Sequence, residues 1–177
     1  MKNLKRIEKK FESLAQIWLQ AIDTYTEEQF VHVPAEGSWS IGQLYNHLIN
    51  SAKNLNLKNI ALCDEGKGTT ISGGKKVPGA VTYFFGRIPP VRIKVPPSPT
   101  YTPKQPANKA EVKENFIEVI RLVKESRGKA EKALPIIKVA HPAFGFLNAA
   151  EWFQLLEMHY RHHLRQKKRL DLFLGVK

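Results

Sequence analysis

The chain has one cysteine, Cys63, and two methionines in 177 residues. A lone cysteine excludes an intrachain disulfide and leaves no cysteine cluster to hold a structural metal ion. No apolar run approaches the roughly 18 residues needed to span a bilayer. Residues 1–6 lead straight into a charged amphipathic repeat, without the apolar stretch and small-residue cleavage site of a signal peptide. Together these absences make a cytoplasmic protein the expectation. Acidic residues are also few, 16 Asp and Glu against 28 Lys and Arg, which leaves a net charge of +12. At 42% hydrophobic and 25% charged the composition is that of an ordinary globular protein, and the length suits one domain, 1–177, with a sizeable core.

The cations cluster at residues 2–10, through the middle of the chain, and at residues 161–169. Such a balance attracts nucleic acid, acidic membranes or a small anionic substrate, and it also describes a plain solvated surface. No basic recognition motif accompanies the charge, so neither a nucleic-acid nor a membrane partner is expected.

Apolar periodicity predicts four long helices. Leu4, Ile7, Phe11, Leu14, Trp18, Ala21 and Tyr25 recur in steps of three and four over residues 3–25, the spacing of one helical face. A turn-like stretch around Pro34, Gly37 and Ser38 follows. Ser40 with Gln43 then forms a capping-box pattern and opens a second helix reaching about Cys63, with Ile41, Leu44, His47, Leu48, Ser51, Leu55 and Leu62 facing inward. Asn108 with Glu111 opens a third, striped by Val112, Phe116, Val119, Val123 and Ala130. Pro135 and Pro142 punctuate what comes next. Asn148 with Glu151 caps the last helix, which ends near Gly175.

Between the second and third helices, residues 64–107 hold six of the eleven glycines and eight of the eleven prolines. A connection this long is ordinarily functional or disordered. The runs Val81-Thr82-Tyr83-Phe84-Phe85 and Val91-Arg92-Ile93-Lys94-Val95 favour short helical or extended pieces packed over the bundle. The expected fold is therefore all-α, a four-helix bundle with one long crossover.

The chemistry points to three histidines. His159 and His163 have the H-x-x-x-H spacing that stacks two side chains on one helix face, shared here with Trp152, Leu156, Leu170 and Leu174. His47 occupies the inward set of the second helix. Imidazole is the commonest transition-metal ligand near neutral pH, and three neutral ligands leave a coordination position open.

Two segments carry a family resemblance. Trp39-Ser40-Ile41-Gly42-Gln43-Leu44-Tyr45-Asn46-His47-Leu48 resembles the second-helix motif of the DinB/YfiT-like metalloprotein superfamily. His141-Pro142-Ala143-Phe144-Gly145, continuing through Glu151-Trp152 to His159-Tyr160-Arg161-His162-His163-Leu164-Arg165-Gln166, resembles its last-helix motif. Gly86-Arg87-Ile88-Pro89-Pro90 suits the family's crossover. The resemblance implies an up-up-down-down-like four-helix bundle, often dimeric, with zinc or nickel on His47, His159 and His163. It further implies a thiol-dependent S-transferase that uses bacillithiol, mycothiol or glutathione. Ser51 and Asn54 stand where the family's pattern places a carboxylate about a turn after the first histidine.

Other polar residues have plainer readings. His162 points about 100° away from His163 on an ideal helix and reads as a surface residue or one that supports the ligands from behind. Gln166, one turn after His163, either hydrogen-bonds a bound water or a histidine ring or is a polar packing residue. His141 reads as a loop residue with the pocket mouth in reach, and His32 lacks a partner. Glu151 and Glu157 are candidate general acids or bases, with solvated or capping carboxylates the plainer reading. Trp18, Trp39 and Trp152 read as core or pocket wall, and Cys63 as a small buried hydrophobe. The leading functional expectation is a divalent-metal-dependent thiol S-transferase acting on small electrophiles, with the catalytic group a metal-bound thiol or water. The alternatives are a metal-dependent hydrolase and a non-catalytic metal-binding stress protein.

Overall fold

Side-chain caps start each of the long helices. In the computed structural model, which describes residues 3–69, 73–90 and 102–176, Asn3 accepts the Arg6 N–H at 2.9 Å and opens α1 (Leu4–Ile22). A short helix the periodicity does not announce, α2 (Glu27–Val31), follows behind a Thr26–Gln29 capping box. The Ser40–Gln43 box, with both contacts at 3.0 Å, opens α3 (Ile41–Ser51). Then α5 (Val77–Phe85) stands in the crossover, α6 (Lys109–Lys132) starts after Asn108, and α7 (Ala149–Leu174) starts at the Asn148–Glu151 box.

The second long helix is continuous but not uniform. After α3 the backbone takes a π turn over Ala52–Leu57 before returning to α4 (Lys58–Asp64). A π turn inserts an additional residue, so the inward face moves on by one position. The expected Ser51, Leu55 and Leu62 are only half-buried, while their successors Ala52, Asn56 and Cys63 are buried. Asn56 is tolerated there because its Nδ2 donates to the Trp152 carbonyl at 3.2 Å. A similar drift occurs on α1, where Ala15 and Ile22 are buried in place of Leu14 and Ala21. A straight helix advances 3.6 residues per turn rather than 3.5.

α1 packs against α6 and α7, as does the α3–α4 rod. Tyr45 sits where they meet, donating to the Trp18 carbonyl at 2.6 Å and touching the rings of Trp18, Phe30 and Phe116. No helix among the described residues is long and apolar enough to cross a membrane.

The crossover is strapped to this frame at both described ends. Tyr83 on α5 donates to the Glu151 carbonyl at 2.8 Å. At the other end Gln43 Nε2 donates to the Pro103 carbonyl at 2.8 Å, and Asn46 Nδ2 to that of Lys104 at 2.9 Å. Gly42 permits this contact, since a Cβ there would lie 2.7 Å from Pro106 and 2.9 Å from the Phe30 carbonyl. The expected piece at Val91 to Val95 lies outside the described residues.

The punctuated stretch before α7 forms a β-hairpin that the prolines concealed: β1 (Lys138–His141) pairs antiparallel with β2 (Gly145–Asn148). Gly79 on α5 sits directly on its turn, where a Cβ would come within 2.2 Å of the Phe144 carbonyl oxygen. Gly79→Val is therefore expected to displace α5 and destabilise the protein by about 1–3 kcal/mol, the cost of overpacking, readable by urea unfolding. Unchanged stability would show that α5 does not bear on the hairpin.

Candidate metal centre

Packing and helix periodicity bring the three histidines together. His47 lies on α3 between buried Leu44 and Leu48, and α7 turns His159 and His163 toward it. His159 Nε2 lies 3.1 Å from His47 Nε2 and 3.0 Å from His163 Nε2. The three potential ligand atoms all fall within 4.8 Å of one another. Each ring is half-buried, so the cluster still meets solvent. Trp39 walls it, with its ring 5.1 Å from that of His47. A cleft of about 690 Å³ opens beside His47, bordered by Asn46, Asn50, Lys53 and Asn115.

Protons alone satisfy this arrangement poorly. A ring nitrogen carries either one N–H or one lone pair. His163 Nδ1 donates to Gln166 Oε1 at 3.1 Å, which leaves His163 Nε2 as a lone pair. A single proton on His159 Nε2 cannot serve both His163 and His47. A cation facing three lone pairs removes the conflict. Two nitrogens each about 2.0–2.1 Å from one zinc ion stand roughly 2.9–3.4 Å apart for angles between square and tetrahedral, which brackets the two observed separations. The residues present therefore fit a divalent ion.

The electrostatics favour the same state. Burial, and then the neighbouring His162, lower the pKa of His47 to about 4. Burial followed by His47 and His162 takes His163 to about 3, and burial with its histidine neighbours holds His159 well below the ordinary range. All three rings are thus neutral donors near pH 7. Because the folded pKa values lie below the unfolded value, the unfolded chain takes up protons first as pH falls. The metal-free protein should accordingly keep this stability above about pH 6.5, the ordinary histidine value, and lose it progressively toward pH 4. Unfolding midpoints measured across that range with chelator present check this; a flat profile would contradict neutral burial of the rings.

The other singled-out residues fall elsewhere. His162 does not join the cluster: it is half-buried and 5.2 Å ring to ring from His163. His141 ends β1, where its Nδ1 accepts the N–H groups of Ala143 and Phe144, each at 3.1 Å. It therefore shapes the hairpin turn, and burial lowers its pKa to about 4. His32 is exposed and stacks on Phe173 at 5.5 Å. Glu151 is the expected capping residue and also pairs with Lys75. Glu157 corrects the expectation of a solvated carboxylate, being buried and paired with Arg161 at 2.9 Å. Its i, i+4 partner was the available signal. Trp18 and Trp152 are fully buried core, Trp39 is the half-buried wall, and Cys63 is buried.

A sequence profile of the DinB superfamily matches residues 10–166. The fold is similar to that of YfiT from Bacillus subtilis, described as a probable metal-dependent hydrolase with an unusual four-helix bundle topology. The two share 14% identity and a TM-score of 0.65, over 100% of this chain and 91% of that one. No curated protein sequence matches the chain.

Proposed function

We propose that this chain, which belongs to the DinB superfamily, holds one divalent ion on His47, His159 and His163 and transfers a low-molecular-weight thiol to a small electrophile. The convergence of three neutral imidazole nitrogens within 4.8 Å carries the reading. Nitrogen-only donors suit zinc or nickel. A divalent ion held there supplies Lewis acidity that lowers the pKa of a thiol or water at its open position.

The protein's own groups bind and orient. Gln166 holds His163 in the tautomer whose Nε2 lone pair faces the cluster, as hydrogen-bond partners of ligating histidines do in metal sites. Trp39 closes one wall, and the cleft beside His47 offers room for the second reactant. Among the described residues the ligand cluster contains no carboxylate. That favours a thiol, which ionises without a dedicated base, over water, whose attack a positioned base assists. The likeness to YfiT supports hydrolysis as the second reading. A cytoplasmic homodimer acting on a small molecule completes the proposal.

The test loads the chelator-stripped protein with zinc or nickel and assays a panel of low-molecular-weight thiols against a generic electrophile. Turnover should require both metal and thiol. Full activity toward an activated ester with thiol omitted would replace transfer by hydrolysis.

A further inference from the structure

The cleft beside His47 is elongated. Its wall on the second long helix runs from Asn46 and His47 to Lys53, and His47 and Lys53 stand about 9 Å apart along the axis at 1.5 Å per residue. Asn46, Asn50 and Lys53 follow one another in steps of four and three and so form one strip, with His47 at its edge. Crossover residues 102–107 and the start of α6, through Glu111 and Asn115, supply the rest of the lining.

Lys53 has a charge that the protein leaves unmatched. It is half-buried, yet among the described residues it pairs with no carboxylate. Its Nζ donates to the neutral Asn115 Oδ1 at 3.2 Å, which leaves two of three N–H groups of the ammonium for another acceptor. Glu118, a turn beyond Asn115 on α6, is held instead by Arg121 through both oxygens, at 2.7 and 2.8 Å. Glu111 is the one described carboxylate bordering the cleft, and it forms no ion pair with Lys53 or with exposed Lys104. Lys53 also stands in the π turn Ala52–Leu57, a helix distortion frequent at functional sites.

We infer that the cleft takes an elongated small molecule whose terminal carboxylate is held by Lys53 and whose reacting end lies at His47. The inference rests on the reading of the three-histidine cluster as a reaction centre. Lys53 and its i, i+3 neighbour Asn50 offer donors to the two oxygens of one carboxylate. A partly buried charge is screened by salt much less than an exposed one, and hydrogen bonds between ionised groups are the strong ones. Exposed Lys104 adds attraction at the rim.

The test compares zinc-loaded wild type with Lys53→Gln, measuring binding by calorimetry and metal content separately. Wild type should bind 6-mercaptohexanoate about tenfold or more tightly than 6-mercaptohexanol, as expected for a hydrogen bond to a charged group. Lys53→Gln should lose that preference while keeping its zinc and its affinity for 6-mercaptohexanol. Mercaptoacetate carries the same two end groups on a chain too short to span the cleft, so its affinity should be the same in both proteins. No preference in wild type, a preference that survives in Lys53→Gln, or an equal loss for mercaptoacetate overturns the inference. If neither long thiol binds, the transferase reading fails, and suberic acid monohydroxamate against octanohydroxamate, which grip zinc without a thiol, decides the subsite. A Lys53-dependent preference for the carboxylate then keeps it, and the lack of one removes it.

Discussion

His47→Ala, His159→Ala and His163→Ala should each weaken divalent-ion binding by more than about a hundredfold, because losing only the hydrogen-bond partner of a ligand already costs about ten- to hundredfold. His159 should be the most sensitive, since its Nε2 lies within 3.1 Å of both other rings. Gln166→Leu should fall in the ten- to hundredfold range, as its oxygen fixes the His163 tautomer without facing the cluster. His162→Ala should retain full occupancy, because that ring points about 100° away from His163 on the helix and stands outside the cluster. Metal analysis after dialysis, together with competitive chelator titration of all five variants, reads these outcomes. Equal loss in His162→Ala and His159→Ala would overturn the ligand assignment. Turnover should follow occupancy in every variant.

Trp152→Ala should produce the largest loss of stability, about 3–5 kcal/mol. The ring is fully buried at the start of α7, and its carbonyl receives the buried Asn56 amide from the π turn. Emptying this position leaves a void where α7, the hairpin and the second long helix meet, with His141 5.3 Å away, ring to ring. For a chain of this length the melting temperature should fall by roughly 6–20 °C, at about 2–4 °C per kcal/mol. Trp152→Phe should cost less, because the indole Nε1 makes no hydrogen bond among the described residues and its removal breaks none. The variant should still bind its ion, since His159 and His163 lie two and three turns farther along the helix. Urea unfolding with and without metal separates the two effects. A loss under 1 kcal/mol would mean that the core closes around the missing ring.

Much of this protein is local and therefore visible in its sequence. The capping pairs Ser40–Gln43 and Asn148–Glu151 span three residues, and the stripes on α1, α6 and α7 follow helical periodicity. The H-x-x-x-H pair is equally local: once α7 is a helix, His159 and His163 must share a face. The all-α bundle and the family followed from those elements taken in order.

What the sequence hid depends on distant contacts. The π turn at Ala52–Leu57 carries no composition of its own, and it exchanges Ser51, Leu55 and Leu62 for Ala52, Asn56 and Cys63 on the buried face. The hairpin of β1 and β2 is too short to show a period, and it forms where α5 presses Gly79 against its turn. Glu157 is buried by the packing around α7, which its local partner Arg161 does not by itself reveal. The sequence by itself determined which residues share each helix face, because rotation per residue is a property of the backbone. Only the tertiary structure decided which faces meet: that His47 reaches the α7 pair, and that the Asn56 amide meets the Trp152 carbonyl. Those outcomes depend on how helices far apart in the chain pack their side chains, and no window of neighbouring residues contains that packing.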